Sequence, residues 1–184
     1  PVDITKFKIG KNREEFYFTA SRLVPYKKTE VIVKAFAKMP NKKLVICGDG
    51  PEFSKLKKIS TSNVSFLGYS EEAVLIEHLQ KCKAFIFASD EDFGIITVEA
   101  QACGTPIIAY GKGGSLETVV EGATGVFFDE QTPESLLMAI EKFEKSGISW
   151  KADEIRNNAE RFSNERFRNE LYDFVASKVN KLKS

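Results

Sequence analysis

The chain has 184 residues, 42% of them hydrophobic and 29% charged, with a formal net charge of +1 at pH 7. This length and composition are typical of one globular domain, and no apolar run approaches the ~20 residues that a membrane-spanning helix requires. The near-neutral charge gives no basic surface for nucleic acid, so we expect no nucleic-acid partner.

Six apolar segments predict β-strands along the chain. They comprise residues 15–20, 44–47, 64–68, 84–88, 106–110 and 124–128. Between them we expect one helix capped by Thr29, one with Pro51 at its first position, and one capped by Ser70. A further helix opens at Thr132-Pro133, and from residue 151 onward the pattern is helical only.

The alternation of strands and helices predicts an α/β fold with a doubly wound parallel sheet of six strands, Rossmann-like, followed by C-terminal helices. Right-handed crossovers make 3-2-1-4-5-6 the expected strand order. Ligands of such sheets bind where the strand order reverses, here between the first and fourth strands. The loops that follow these strands carry Arg22 and Glu91, so we expect both side chains beside one crevice.

The three cysteines, Cys47, Cys82 and Cys103, are odd in number and widely spaced. This pattern predicts reduced thiols in or near the core rather than disulfides. The sequence has no initiator methionine and no signal-peptide pattern. We therefore expect a cytoplasmic domain that belongs to a longer protein.

The stretch after the fourth strand organises the chain. An acidic turn, Asp90-Glu91-Asp92, leads to Gly94, and a helix then runs to Gly104-Thr105-Pro106. The free N–H groups at the start of this helix face whatever lies above the strand ends. Such a helix N-terminus favours an anion.

The segment from Glu91 to Glu99, with Phe93 and Gly94 inside it and a Cys-Gly-x-Pro ending at Pro106, resembles the E-x7-E signature of the retaining glycosyltransferases. These are GT-B enzymes with two facing Rossmann-like domains, and they use a nucleotide-sugar donor. The chain is similar to the C-terminal, donor-binding half of the glycosyl transferases group 1 and of mannosyltransferase-like enzymes. The resemblance implies one half of a GT-B fold.

The resemblance also implies roles for four side chains. Arg22 and Lys27 match the family's Arg-Leu-x-x-x-Lys pattern, which binds the diphosphate of the donor. Lys28 departs from the family, which commonly has glycine at that position. Glu91 is expected to bind the hydroxyl groups of the donor sugar, and Glu99 those of the ribose.

Further donor contacts follow from the same resemblance. Backbone N–H groups at the start of the central helix are expected to meet the sugar and phosphates, and the turn after the second strand to shape the crevice. Residues after the third strand are expected to read the base. The residues concerned are Phe93, Gly94, Ile95, Ile96, Thr97, Gly48, Gly50, Tyr69, Ser70 and Glu72. Gly113-Gly114 and Glu117 resemble the family's Gly-Gly-x-x-Glu pattern after the fifth strand, although the start of a short helix is enough to explain the two glycines.

Three parts are expected in the chain. Residues 1–10 resemble the segment that links the acceptor domain to the donor domain, although a frayed terminus explains them equally well. Residues 11–150 form the nucleotide-sugar-binding domain, and residues 151–184 form C-terminal helices. The helices are expected to leave part of their apolar face exposed or self-associated, because a GT-B terminal helix normally packs partly on the other domain.

The function that we expect is transfer of a hexose, with mannose as one candidate, to a glycan or glycolipid. The chain is expected to be inactive without an N-terminal acceptor domain, supplied in cis or as a separate chain. Membrane contact is expected only through that domain, at the inner face of the membrane. Neither a cofactor nor a metal is expected beyond the nucleoside diphosphate-sugar substrate.

Four alternatives stay open. Asp90-Glu91-Asp92 spells the D-x-D metal motif of the other glycosyltransferase fold, although its flanks fit the metal-independent pattern. A glycosidase pair is disfavoured, because one helix N-terminus does not place two carboxyl groups across a glycosidic bond. The last two are a non-catalytic nucleotide-sugar-binding or regulatory subunit and a sugar-phosphate-using synthase of the same fold.

Overall fold

The computed structural model describes the backbone of residues 1–183 and the side chains of residues 1–179. Its centre is a six-stranded sheet in the order β3-β2-β1-β4-β5-β6, with every neighbouring pair parallel. The strands are β1 Phe16–Ala20, β2 Lys43–Cys47, β3 Val64–Gly68, β4 Ala84–Phe87, β5 Ile107–Tyr110 and β6 Gly125–Phe128. The predicted fold class and strand order are therefore confirmed.

Eight α-helices are found in the described part of the chain, besides a short 3-10 helix at Pro25–Lys27. They are α1 Thr29–Ala37, α2 Phe53–Ile59, α3 Glu72–Lys81, α4 Ile95–Ala102, α5 Ser115–Thr118, α6 Pro133–Lys145, α7 Ala152–Glu160 and α8 Asn164–Lys183. One hydrophobic cluster joins the sheet to α1, α2 and α6, and a second joins it to α3, α4 and α7. Because both faces are covered, all four residues of β4 are buried, as their continuous apolar run predicts.

Three predicted helix starts are wrong, and one is right. Lys28, in a left-handed conformation, precedes α1 where Thr29 was expected as the cap, and Thr29 is buried inside the first turn. The chain turns before α2 begins, so Pro51 lies outside that helix. Glu71 rather than Ser70 precedes α3, because the Ser70 hydroxyl bonds back to the Gly68 carbonyl at 3.5 Å. At α6, the Thr132 hydroxyl accepts the Ser135 N–H as predicted.

The first residues are packed onto the domain, so a frayed terminus is the wrong interpretation. Val2 and Phe7 are buried, and the Val2 N–H donates to the Phe162 carbonyl at 2.8 Å. Arg156 on α7 donates to the Phe7 and Ala102 carbonyls at 2.5 Å each. These contacts fix residues 1–7 against the C-terminal ends of α4 and α7. Their role as an interdomain linker stays a prediction.

The two C-terminal helices differ in burial. Ile155 and Ala159 of α7 lie in the core, whereas α8 carries an exposed apolar stripe. Phe167 and Phe174 in that stripe are 46% and 59% exposed. The predicted exposure of an apolar helix face is therefore confirmed. None of the helices among the described residues combines the length and apolarity of a membrane span.

Candidate functional site

A cavity of about 690 Å³ lies at the carboxyl ends of β1 and β4, where the strand order reverses. Seven of the residues that the sequence analysis selected line it. They are Lys27, Glu91, Phe93, Gly94, Ile95, Ile96 and Glu99. Fold rules alone placed a crevice between these two loops, and the structure has the cavity there.

A second cavity of about 440 Å³ adjoins the first, and the two share Ala20, Ser21 and Ile96 in their walls. Four more selected residues line it: Arg22, Gly48, Tyr69 and Ser70. The Cys47 and Leu75 side chains give this second cavity an apolar wall. The two cavities therefore form one cleft with a charged part beside Glu91 and a more apolar part beside Tyr69.

Three selected residues line neither cavity. The Glu72 carboxylate pairs with Lys6 at 3.2 Å on the surface. Thr97 is buried, and its hydroxyl donates to the Gly94 carbonyl at 2.7 Å. Gly50 lies behind the cleft, against the backbone of Leu23. Thr97 and Gly50 therefore lie next to lining residues rather than in the walls of the cleft.

Lys27 and Glu91 meet directly inside the first cavity. The Lys27 Nζ donates to Glu91 Oε1 at 2.5 Å, and the Ser89 hydroxyl donates to the same oxygen at 2.5 Å. The two charged side chains are 18% and 24% exposed, so the pair is partly shielded from water. A cation and a carboxylate thus lie within one pocket, and each can form a further hydrogen bond.

The N-terminus of α4 opens onto the same cavity. Gly94 precedes the helix with φ 74°, and it offers no side chain to cap the helix. A Cβ added there would come within 3.0 Å of the Phe87 ring. The first N–H groups of a helix have no partner within it, and Ile95 and Ile96, the first two residues of α4, line the cavity. This end of α4 therefore attracts negative charge.

Glu99 lies one turn further along α4 and at the back of the cavity. Burial raises the pKa of its carboxyl group, and the nearby Glu72 adds to the rise, while Lys6 opposes it. A partly desolvated carboxylate accepts hydrogen bonds strongly. Hydroxyl groups of a bound ligand would supply the hydrogen bonds that water does not.

Glycines after β2 hold the loop that carries Arg22. A Cβ at Gly48 would lie 1.8 Å from the Ser21 carbonyl oxygen, and one at Gly50 would lie 2.5 Å from that of Leu23. The Leu23 N–H also donates to the Asp49 carbonyl at 2.9 Å. Only glycine allows the two loops to come this close, so the Gly-x-Gly turn positions Arg22.

Gly113 and Gly114 hold the acidic loop in the same way, a role that was not predicted from the sequence. The Gly114 N–H donates to the Glu91 carbonyl at 2.7 Å, and a Cβ there would lie 2.4 Å from the Phe93 Cα. A Cβ at Gly113 would lie 2.6 Å from the Glu91 carbonyl oxygen. The available signal was the position of the glycine pair, after β5, at the same sheet edge as Glu91.

The D-x-D alternative receives no support from the arrangement of the acidic turn. Asp90 pairs with Lys112 at 3.5 Å, whereas Glu91 is held by Lys27. Over residues 1–179 no group of three or more His, Cys, Asp or Glu side chains is arranged to hold a metal ion. The absence of a metal from the reaction stays a prediction.

Comparisons with curated proteins connect this geometry to known enzymes. The chain is 38% identical over 121 residues to the GDP-mannose-dependent monoacylated alpha-(1-6)-phosphatidylinositol monomannoside mannosyltransferase of Corynebacterium glutamicum, covering 58% of this chain and 32% of that protein. It is 34% identical over 116 residues to the D-inositol 3-phosphate glycosyltransferase of Mycobacterium leprae, covering 56% and 27%. The chain thus spans about a third of the length of the curated relatives that it matches.

Solved structures share the fold. HepE from Anabaena, in complex with UDP and glucose, superimposes with a TM-score of 0.80 at 22% identity, over 96% of this chain and 55% of that one. Finally, the family described as Glycosyl transferases group 1 matches residues 2–162. The match covers most of the chain, including both halves of the cleft and the acidic loop between them. The chain therefore belongs to the glycosyl transferases group 1 family, and its sheet has the architecture of GT-B glycosyltransferases.

Proposed function

We propose that this chain is the donor-binding domain of a retaining glycosyltransferase and that it binds a nucleoside diphosphate-hexose. The observation that carries the proposal is the Lys27–Glu91 pair beside the uncapped N-terminus of α4. The pair offers a cation for phosphate and a carboxylate for sugar hydroxyls within one cavity. The adjoining apolar cavity, with Tyr69 in its wall, suits a nucleoside.

The chemistry of this proposal is the stabilisation of a leaving group. The bond between the anomeric carbon and the diphosphate oxygen breaks, and negative charge accumulates on the departing diphosphate. Arg22, Lys27 and the α4 N-terminus would stabilise that negative charge. Glu91 would hold the sugar hydroxyls while the acceptor oxygen bonds to the same carbon from the face that the diphosphate leaves, and the proton of the acceptor hydroxyl would pass to the departing diphosphate oxygen. These positive groups perform the task that a metal performs elsewhere, so we propose no metal requirement.

The names of the relatives favour one class of substrate. The Corynebacterium relative is named as GDP-mannose-dependent, with a phosphatidylinositol monomannoside as its acceptor. We propose mannose as the hexose and a glycolipid as the acceptor. An N-terminal domain would present that acceptor across the cleft, and it would carry the membrane contact at the cytoplasmic face.

The first test is calorimetric titration of the chain with GDP-mannose, UDP-glucose, UDP-galactose and UDP-N-acetylglucosamine, each with and without EDTA. We expect one or more of these donors to bind and chelation to leave the affinity unchanged. A chain that binds none of them contradicts the donor-domain proposal. Binding that disappears with EDTA and returns with manganese contradicts the metal-free mechanism.

The second test is a radiolabelled transfer assay with the bound donor and a range of glycan and glycolipid acceptors. We expect no transfer by these 184 residues alone. Transfer requires donor and acceptor held in reacting geometry in a cleft that excludes water, and only one wall of that cleft is described here. Robust turnover would show that the active site is complete without a second domain.

A further inference from the structure

Phe93, inside the acidic loop, faces two cavities. It lines the 690 Å³ cavity beside Glu91, and it also lines a separate cavity of about 280 Å³ next to the C-terminal helices. Phe162 and Phe167 contribute to the wall of that second space. Phe93 therefore separates the donor cleft from the turn between α7 and α8.

The Phe93 ring rests on the ring of Phe162 in this turn. Their centroids are 5.4 Å apart with an interplanar angle of 70°, which is an edge-to-face contact. Both rings are partly buried and pack against the same hydrophobic cluster. Phe162 is thus the aromatic partner through which the C-terminal helices touch the acidic loop.

Phe162 is itself held by three further contacts. Its carbonyl accepts the Val2 N–H at 2.8 Å, and its N–H donates to the Ala159 carbonyl at 3.0 Å. The Arg161 guanidinium lies 5.3 Å from the centre of its ring. The ring is therefore anchored to the N-terminal segment and to α7, so it can act as a fixed support.

The backbone of Phe93 has little room to move on the side away from Phe162. Gly114 packs so closely that a Cβ there would lie 2.4 Å from the Phe93 Cα. Gly94, which follows Phe93 directly, precedes α4, and Glu91 lies two residues before Phe93. A shift of the Phe93 ring would therefore move both the α4 N-terminus and the carboxylate that pairs with Lys27.

We propose that Phe162 is a positioning residue: its ring fixes Phe93 and thereby the orientation of Glu91 and of the α4 N-terminus. The inference rests on the proposed function for the ligand that the loop holds, but the mechanical link does not depend on that ligand. It follows that the α7–α8 turn and residues 1–7, both attached to Phe162, set the geometry of the donor cleft from outside it.

The test compares Phe162→Ala with Trp150→Ala in the 184-residue chain. Trp150 is a matched control because it forms an aromatic pair with Phe143, stacked at 5.0 Å, on the other face of the sheet. Amide hydrogen exchange is measured for residues 91–96, and GDP-mannose and GDP are titrated by calorimetry. Phe162→Tyr, which keeps the ring, serves as the conservative variant.

For Phe162→Ala we expect exchange in residues 91–96 to accelerate about tenfold, and GDP-mannose to bind about tenfold more weakly, as for a site group displaced by a fraction of an ångström. GDP affinity should fall less, because the bare nucleotide does not need Glu91. Phe162→Tyr should show the exchange rates and affinities of the parent. Trp150→Ala should leave exchange in residues 91–96 unchanged.

Equal exchange in Phe162→Ala and Trp150→Ala would overturn the positioning role, since general destabilisation would then explain both. Equal weakening of GDP-mannose and GDP by Phe162→Ala would also overturn it. If GDP-mannose and GDP bind to no variant, including the parent, the donor assignment for that nucleotide fails. The hydrogen-exchange comparison then still decides whether Phe162 positions the loop.

Discussion

The two ends of α4 differ in which groups are available to interact with the partial charges of the helix dipole. At the C-terminal end the chain supplies its own cations: Arg13 donates to the Cys103 carbonyl at 3.3 Å, and Arg156 donates to the Ala102 carbonyl at 2.5 Å. At the N-terminal end Gly94 supplies no capping group, and the first residues of the helix line a cavity. The protein thus satisfies the negative end of the helix with its own side chains, whereas under the proposed function the positive end would be satisfied by the ligand.

Burial explains the difference. Cys103 and Thr105 at the C-terminal end are fully buried, so carbonyls there would be costly without partners from the chain. At the other end Ile95 is 54% exposed, and water can occupy the open N–H groups until a ligand arrives. Variants at the C-terminal end should therefore change stability, and variants around the N-terminal end should change binding.

The largest effect is expected at Arg13. Its guanidinium donates to the Cys82 carbonyl at 2.9 Å and to the Thr105 hydroxyl at 2.8 Å, besides Cys103. Burial lowers the pKa of this guanidinium, which stays charged at neutral pH because an arginine starts from a very high value. Arg13 as a whole residue is exposed, whereas its acceptors belong to buried residues. Arg13→Met would leave these acceptors without a donor and lower the free energy of unfolding by roughly 2–3 kcal/mol.

Urea unfolding at pH 7 measures this change, and donor titration of the folded variant measures binding. We expect the affinity to stay within a factor of about two, since the site lies at the other end of the helix. Arg13→Lys, which keeps the charge but loses the fork of donors, should fall between the parent and Arg13→Met. A variant that unfolds like the parent but binds poorly would reverse the proposed division between the two ends.

Arg22 lines the cleft near the N-terminal end of α4, where we expect substitutions to change binding rather than stability. We expect Arg22→Ala to weaken nucleoside diphosphate binding by roughly 1.5–3 kcal/mol, the magnitude of a charge-assisted hydrogen bond. The thermal midpoint should not change, because Arg22 is exposed. Arg168→Ala is the matched control, since it removes the same charge from α8, away from the cleft. Parent-like binding by Arg22→Ala would show that the phosphates lie elsewhere.

Glu91 is expected to have a smaller effect that depends on the ligand. Glu91→Gln removes the charge that holds Lys27, so Lys27 becomes free to meet phosphate. GDP should bind more tightly by roughly 1 kcal/mol, whereas GDP-mannose should gain less or lose affinity because a sugar contact weakens. Calorimetry with both ligands measures the ratio of their affinities. An unchanged ratio would separate Glu91 from the sugar.

Much of this site could be predicted because it depends on local patterns. Apolar runs define the strands, their order follows from right-handed crossovers, and the order alone brings the loops of Lys27 and Glu91 together. What escaped prediction depends on contacts between distant loops. The close approach of Gly114 to Phe93 is indicated only by the position of the glycine pair after β5, and the contact of Phe93 with Phe162 leaves no spacing signal in the sequence.

Helix starts escaped prediction for a different reason. Residues such as Thr29 and Ser70 have the chemistry of caps, but a left-handed residue one or two positions earlier redirected the chain. Lys28 has φ 56° before Thr29, and Gly68 has φ 71° before Ser70. Cap propensities assume an extended residue at the helix start, so they fail where the preceding turn places a left-handed residue instead.

Lys28, at the start of α1, can be compared with Gly94 at the start of α4. Substitutions of Lys28 are expected to change the free energy of unfolding by the smallest amount of the effects predicted. Like Gly94 before α4, Lys28 precedes its helix in the left-handed region, but it is the one non-glycine residue with positive φ among the residues described. A lysine there has two disadvantages. The left-handed conformation costs a residue with a Cβ roughly 1 kcal/mol, and a positive charge at a helix N-terminus opposes the helix dipole.

Lys28→Asn should therefore raise the free energy of unfolding by about 0.5–1 kcal/mol, since asparagine tolerates this conformation and is preferred before a helix. Lys28→Gly should gain less, because glycine also increases the entropy of the unfolded chain. Lys28→Ala is the control that removes the charge without relieving the backbone. Urea unfolding distinguishes the three variants.

An increase in the free energy of unfolding that is equal for Lys28→Ala and Lys28→Asn would assign the whole effect to charge. No increase in any of the three variants would show that the turn before α1 carries no strain. Donor binding should stay at the parent value throughout, because Lys27, and not Lys28, lines the cavity.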